Sequence, residues 1–360
     1  MGKYRAAIVG CSRIGGFIDN EVRGSHVVLP YSHAAGYTAC ENTDLIACSD
    51  LRTDVMLKFG TQYNIDQSQQ YTDYKKMIDI EKPDILSVAT QPEIRSEIIL
   101  YALSKGVSAI YAEKPLSASM DQAQEIFNAV EKNQAIFNLG TNRRWDNGFT
   151  ILKNLISNGD LGEIKSITVF GGGGLFNSSS HWIDLIMYLN SDNKVLSVQG
   201  DVPGVGDMIH NNILSDDPEG FGILHFSNGV KGYYCSSGVH HEVKVVGDKG
   251  VVNVLNNGLT WALDPVPYDE SNLKPEDPNS NSFPKFEHES ATLKLIEEIV
   301  SQLDGVQETK GGIRAARDAT EVIFALIQSE LTNGSKITLP LKGSKIILER
   351  NISARKPKFS

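Results

Sequence analysis

Cysteine is scarce in this chain: four occur in 360 residues, Cys11, Cys40, Cys48 and Cys235, and no two form a CxxC pair. That excludes a disulfide framework and points to a reducing, cytoplasmic compartment. Long apolar runs are also missing. No stretch approaches the eighteen or so residues of a spanning helix, so no membrane segment is expected. The apolar run in the opening MGKYRAAIVG is too short for a signal-peptide core. Ala6 stands where a myristoylation pattern needs Ser or Thr. Excess basic charge is absent too. Lys and Arg number 34 against 44 Asp and Glu, a formal net charge of −10. A sequence-independent nucleic-acid or anionic-membrane partner needs a basic face and is therefore not expected. Only Lys345 to Lys358 is locally basic, and it reads as a solvated end. No metal site is expected either: His240 and His241 are adjacent and would point to opposite faces of a strand.

What is present is the balance of a globular protein, 41% hydrophobic and 22% charged. The length exceeds one ordinary core. Two domains are expected, at 1–140 and 141–345, with 346–360 as a C-terminal tail.

YRAAIVG (Tyr4 to Gly10) is a buried-strand pattern running into Gly10-Cys11-Ser12-Arg13-Ile14-Gly15. This is the dinucleotide fingerprint G-x-G-x-x-G with Ser12 at the middle glycine. The first glycine permits a tight turn, the middle position lets backbone approach a pyrophosphate, and the third lets a helix pack close. Serine is among the smallest changes the middle position can take, and its hydroxyl can donate to phosphate. A second strand, LIACSD, ends in Asp50, the place for an acid that binds adenosine ribose hydroxyls. Between Gly15 and Asp50 lies a polar insertion with Pro30, His33 and Gly36, expected as a loop at the top of the sheet. Asp50 repels a 2′-phosphate, and Arg52 beyond Leu51 partly offsets it, so NAD is expected, with NADP possible.

Strand and helix alternate onward through PDILSVAT, a helix from Pro92 ending at Gly106, and VSAIYAEKPLS. The alternation predicts an α/β Rossmann domain, a doubly wound parallel sheet. Glu113-Lys114-Pro115 falls at the carboxyl edge, where ligands sit in open α/β sheets. A lysine there can serve as a proton donor tuned by burial and a neighbouring cation. From these letters alone a surface lysine at a strand end is the simpler reading.

After Asn142 the organisation changes. WDNGFTILKNLISNGDLG is an amphipathic helix ended by Asn158-Gly159, followed by the strand IKSITVF and the loop GGGGLFNSSS. From Lys194 strands and hairpins dominate, with turns at Asn228-Gly229 and around Asp248 to Gly250. Residues 264–285 read as a surface loop, and helices close the chain around Thr292 to Leu303 and Ile313 to Leu331. In HWIDLIMYL, Ser179 or Ser180 can cap a helix whose first turn holds His181. The helix dipole there favours neutral imidazole, and Asp184 at i+3 favours imidazolium. On the residues alone, a histidine starting a buried helix is the simpler reading.

GCSRIG, the strand ending CSD, ATQP (Ala89 to Pro92) and especially AEKPLS resemble the Gfo/Idh/MocA family of oxidoreductases. NRRWDNGF, GDLGEI, HWID and the stretch from Gly311 to Leu341 extend the resemblance over almost the whole chain. It implies an α+β C-terminal domain with a large, mostly antiparallel, open-faced sheet, which commonly serves homo-oligomerisation in the family, here a dimer or tetramer. It also implies an NAD(P)-dependent dehydrogenase acting on a CH–OH group of a sugar, sugar derivative or cyclitol. Lys114 would correspond to the family's catalytic lysine and His181 to its substrate-side histidine, so that the two share proton transfer across the domain cleft. Asp184 matches the family aspartate after that histidine. Asn177 replaces a second one, which removes an ionisable group from any relay. Thr90, Gln91, Pro92 and Glu113 join the expected cofactor contacts. Asn177, Asp184, Arg143, Arg144 and His33 are candidates for the substrate, though structural ion pairs would equally suit the arginines. Two alternatives accompany this reading: NAD that stays bound and is recycled within one redox cycle, and a non-catalytic NAD-sensing or scaffold protein.

Overall fold

Six short strands, β1 (Tyr4–Val9), β2 (Thr43–Ser49), β3 (Gln70–Tyr71), β4 (Ile85–Val88), β5 (Ala109–Ala112) and β6 (Ile136–Leu139), pair in parallel. Their order is β3-β2-β1-β4-β5-β6, the doubly wound arrangement whose direction reverses between β1 and β4. Successive residues of a strand face opposite sides of a sheet, and both sides here are buried. Ala6 and Ile8 pack with Phe59 of α2 (Thr53–Tyr63); Ala7 and Val9 pack in a second cluster with Ile98 of α4 (Pro92–Ser104) and Ile126 of α5 (Met120–Asn133). Two-sided burial explains the near-continuous apolar strands. The remaining helices of this region are α1 (His33–Ala39) and α3 (Tyr74–Glu81).

The computed structural model describes residues 2–24, 27–236, 241–265, 283–350 and 356–359. The chain forms two units, one of residues 1–145, 289–317 and 351–360, the other of 146–288 and 318–350. The first therefore extends past residue 140 and takes back a later segment. The reason is the apolar face of α8 (Ala291–Leu303), whose Leu295, Ile296 and Ile299 complete the core containing Ala6 and Ile8. A Cβ at Gly36 of α1 would come within 2.6 Å of Ile296 Cδ1, so glycine there permits the close approach.

The insertion after the glycine loop is not all loop. Residues 13–17 make a single π-type turn in place of the α-helix that usually opens there, a 3-10 turn follows at Ile18–Asn20, and Ser32 caps α1 by accepting the N–H of Ala35. His33 thus begins a helix and is fully buried.

The second unit holds α6 (Asn147–Asn158), β7 (Ile164–Gly171), α7 (Ser179–Leu189), β8 (Val195–Asp201), β9 (Ile209–His210), β10 (Ile213–Leu214), β11 (Phe221–Phe226), β12 (Lys231–Ser236), β13 (Glu242–Gly247), β14 (Gly250–Leu255) and β15 (Thr260–Pro265). The helix α9 (Ile313–Leu331) enters it from the first unit, and β16 (Ile337–Thr338) and β17 (Ile347–Leu348) follow. Eight strands form one sheet in the order β15-β14-β13-β7-β12-β11-β8-β16. Only β7 and β12 pair in parallel within it, so the sheet is mixed and mostly antiparallel. Glycines mark where helices press on it: a Cβ at Gly171 would meet Trp182 of α7 at 2.8 Å, and one at Gly200 would meet the Leu326 carbonyl of α9 at 2.4 Å. On the opposite face Phe170, Cys235 and Phe221 align in register across β7, β12 and β11.

Several expectations need revision. The helix at His181 starts earlier than expected, with Ser178 at the cap position and Ser179 and Ser180 already inside α7. The basic tail is not simply solvated: β17 pairs with β10, Pro357 is buried, and Phe359 packs edge-on against Phe17 at 4.9 Å. Two apolar side chains among the lysines supply the docking. His240 and most of 264–285 lie outside the described residues. Among the described residues no helix is long and apolar enough to cross a membrane, and no group of three His, Cys, Asp or Glu side chains could hold a metal ion.

Candidate active site

In the first unit the loops after β1, β4 and β5 meet at the carboxyl edge of the sheet: Gly10 N–H bonds the Ser49 carbonyl, Ala89 N–H that of Val9, and Glu113 N–H that of Val88. Gly10 has φ of +99°, a left-handed conformation that favours glycine, and a Cβ there would lie 2.8 Å from the Ala89 carbonyl oxygen. A Cβ at Gly15 would lie 1.9 Å from the Gly10 carbonyl oxygen. The third glycine thus closes the loop on itself. Ser12 stands before the π-type turn of Arg13 to Phe17, and Ile14 lies within it. Arg13 is anchored by Glu21 at 2.7 Å. That partner holds the Glu21 carboxyl below its ordinary range, Arg13 being the largest influence.

Asp50 follows β2 and reaches across to the glycine loop. Its carboxylate accepts Cys11 N–H at 2.8 Å and Arg52 N–H at 2.9 Å, and Arg52 Nε lies 3.5 Å away. A carboxylate offers about four acceptor sites, so two remain. Leu51 beside it is 88% exposed, leaving an apolar side chain open at the rim.

At the next loop Pro92 opens α4, after Thr90 and Gln91. Arg95, one turn on, is buried, and its guanidinium donates to the carbonyls of both Thr90 and Pro115. It therefore ties the β4 loop to the Glu113-Lys114-Pro115 turn, whose Lys114–Pro115 bond is cis. The sequence assigns this arginine no role, because its partners are main-chain carbonyls twenty residues away or on the preceding loop. Lys114 is half-buried. Glu113 is buried, with His33 Nε2 3.2 Å from its Oε1, while His33 Nδ1 lies 2.9 Å from Ser87 Oγ. Burial pushes the Glu113 carboxyl up, but the His33 hydrogen bond and the charges of Lys114, His33 and Arg95 outweigh it, and the net direction is down. Both ring nitrogens of His33 are engaged inside the protein, so it does not itself face a substrate.

Arg144 is likewise fully buried and donates to the Lys310 carbonyl at 3.0 Å; this replaces its expected substrate role with a structural one. Arg143 is half-buried, and its charge acts against the burial that raises Tyr31.

The second unit positions the other group. The loop before α7 is pinned by Asp217, whose carboxylate accepts Phe176 N–H at 2.8 Å and Asn177 N–H at 2.9 Å. Gly174 makes room for it: a Cβ there would lie 2.2 Å from Asp217 Cγ. Asn177 is exposed, His181 half-buried in the first turn of α7, and Asp184 buried. Ser179 Oγ donates to the Gly173 carbonyl and also bonds Tyr234 Oη. Burial, the largest influence, pushes the Tyr234 hydroxyl up to about 12, so it stays protonated. Asp217 was not legible in the sequence, because forty residues separate it from the loop it holds.

A glycine-loop Rossmann sheet with an acid after β2 and a lysine after β5 defines a dinucleotide-binding oxidoreductase domain. Residues 4–141 match the oxidoreductase family with an NAD-binding Rossmann fold, Gfo/Idh/MocA. The myo-inositol 2-dehydrogenase of Thermotoga maritima is 23% identical over 273 residues, 68% of this chain and 73% of that protein. The D-glucoside 3-dehydrogenase of Escherichia coli is 26% identical over 194 residues, 49% of this chain and 54% of that protein. An inositol dehydrogenase homologue from Azotobacter vinelandii, solved with NADH and myo-inositol, shares the fold with a TM-score of 0.73 at 16% identity, over 94% of this chain and 98% of that one. Residues 4–141 form a Rossmann domain of the kind found in the Gfo/Idh/MocA oxidoreductases, and the solved structure shares the fold.

Proposed function

We propose that the protein is an NAD-dependent dehydrogenase of a secondary alcohol on a sugar, sugar derivative or cyclitol. The observation that carries this is Lys114, half-buried after β5, at the same carboxyl edge of the parallel sheet as Gly10 and Asp50. The residues present fit the cofactor: positions 10 and 15 admit only glycine, and Asp50 keeps two acceptor sites for ribose hydroxyls while repelling a 2′-phosphate. Gly10 to Gly15, Asp50 to Arg52, and Thr90 to Pro92 with Glu113 would hold it. Bound NAD supplies a hydride acceptor.

Lys114 takes the proton of the substrate hydroxyl as its carbon gives up hydride, and returns it in the reverse direction. His181 is the second proton-transfer group, in a first helical turn where the dipole favours neutral imidazole. Asn177, exposed in the loop before it, offers hydrogen bonds to a substrate hydroxyl but no proton, and Asp184 on the next turn is a further substrate-side group. Arg143 is the remaining substrate candidate. The work of these groups is to align the alcohol and to move one proton.

The aligned Phe170 and Phe221, 39% and 42% exposed on the face of the large sheet turned away from α7 and α9, support a homo-oligomer built on that face. The four free cysteines support a cytoplasmic location.

A panel of polyols and sugars with NAD and with NADP, followed by absorbance of the reduced cofactor, tests the reading. Reduction of NAD by at least one alcohol is expected. Signal with NADP alone contradicts the role given to Asp50. Cofactor retained through purification, with substrate turnover and no net NADH, identifies the recycled-cofactor alternative.

A further inference from the structure

Behind Lys114 lies a buried chain of polar groups that the proposed reaction does not use. Tyr37 Oη is 3.0 Å from Ser87 Oγ, Ser87 Oγ is 2.9 Å from His33 Nδ1, and His33 Nε2 is 3.2 Å from Glu113 Oε1. Tyr37, Ser87 and His33 are all fully buried. The His33 ring is held flat on Tyr111, 3.8 Å between centroids and 8° between planes. Gly140 completes the cradle, since a Cβ there would stand 2.4 Å from Glu113 Oε1. One direction of hydrogen bonding satisfies every member. Tyr37 donates to Ser87, Ser87 donates to Nδ1, and Nε2–H donates to an ionised Glu113. The far end, Tyr37, is fully buried, so the chain does not open to water there.

We propose that His33 is a positioning residue which holds Glu113 as a fixed carboxylate next to Lys114, and that this charge sets the pH at which the Lys114 amine takes up and releases its proton. The inference rests on the reading of Lys114 as the proton-transfer group. The other groups around the carboxylate are Arg95 from α4, which shares its charge, and Tyr31 and Tyr111. Burial raises both phenols, so they stay neutral and do not compete. Removing the carboxylate takes away an anion that acts on Lys114, and an ammonium without that anion gives up its proton at lower pH.

The test reads Lys114 directly in the full-length protein without cofactor. The rate of its acylation by a small anhydride is followed across pH by peptide mass spectrometry, and the midpoint of the rise is taken. In Glu113→Gln, which keeps an acceptor for Nε2–H, the midpoint is expected to fall by about one pH unit or more. His33→Phe keeps the stack on Tyr111 but loses the donor, and is expected to move the midpoint the same way by less. His33→Gln restores a donor and is expected to return it toward wild type. A Glu113→Gln midpoint equal to wild type overturns the proposal, as does an unmoved midpoint in a folded His33→Phe. Should His33→Phe fail to fold, Glu113→Gln decides alone. The alcohol panel judges the dehydrogenase reading separately: an inactive protein with a shifted Lys114 midpoint sinks that reading and leaves this one standing.

Discussion

The carboxylate of Asp50 accepts the backbone N–H of Cys11 at 2.8 Å. The acid at the end of β2 therefore holds the first turn of the glycine loop. Replacing it with alanine removes a charge-assisted hydrogen bond, which is worth about 1.5–3 kcal/mol. Asp50→Ala is expected to weaken NADH binding by about 10- to 100-fold, measured by fluorescence titration. Because the repelling charge goes while Arg52 stays, the gap between NADH and NADPH should also narrow. Unchanged NADH affinity would show that the loop does not need this anchor.

Arg95 bridges two main-chain carbonyls, those of Thr90 and Pro115, from within the core. Arg95→Met leaves both carbonyls, one buried and one half-buried, without that donor. An unsatisfied buried polar group costs about 1–3 kcal/mol, so a loss of about 2–4 kcal/mol in urea unfolding is expected. Lysine should rescue poorly, since a single ammonium does not reproduce the two-pronged guanidinium.

Glu113 gives a pH signature. Its folded carboxyl titrates below the ordinary value of 4.5. The sign follows from linkage: a depressed carboxyl contributes stability that is complete above the unfolded value and disappears as pH falls through the folded one. Relative to Glu113→Gln, wild type should keep a constant stability difference at neutral pH and lose ground below about pH 4.5. Denaturation curves of both proteins from pH 7 to pH 3 check this; a difference that stays flat to pH 3 contradicts an ionised, buried Glu113.

In the second unit Gly174 and Asp217 are interlocked. A methyl group at 174 would overlap the carboxylate that accepts the N–H groups of Phe176 and Asn177. Gly174→Ala is expected to raise KM for the alcohol and lower kcat, with NADH binding unchanged because that loop is in the first unit. Weakened NADH binding in this variant would show that the two functions are not separable in this way.

The parts of this account differ in how far sequence revealed them. The parallel sheet was legible because its strands are apolar on both faces and alternate with helices. The ends of α4, α6 and α9 were also legible, since Gly106, Gly159 and the helical spacing from Ile313 to Leu331 are local signals. The return of α8 to the first unit was not, because an amphipathic helix does not name the sheet that it will cover. His33 looked like part of a polar loop, and its burial depends on Ser87 and Glu113, which sit 54 and 80 residues away. Arg95 and Asp217 were missed for the same reason: each acts on main-chain groups, which leave no mark on residue type. The tail misled through its lysines, whose charge concealed Pro357 and Phe359.

The central claim is that Lys114 and His181 move the proton, and the most direct measurement compares turnover with cofactor binding in two variants. With an alcohol that wild type oxidises, Lys114→Ala and His181→Ala should each lose about 10²- to 10⁴-fold in kcat, while NADH binding followed by fluorescence persists. Near-normal turnover in both variants would contradict the account.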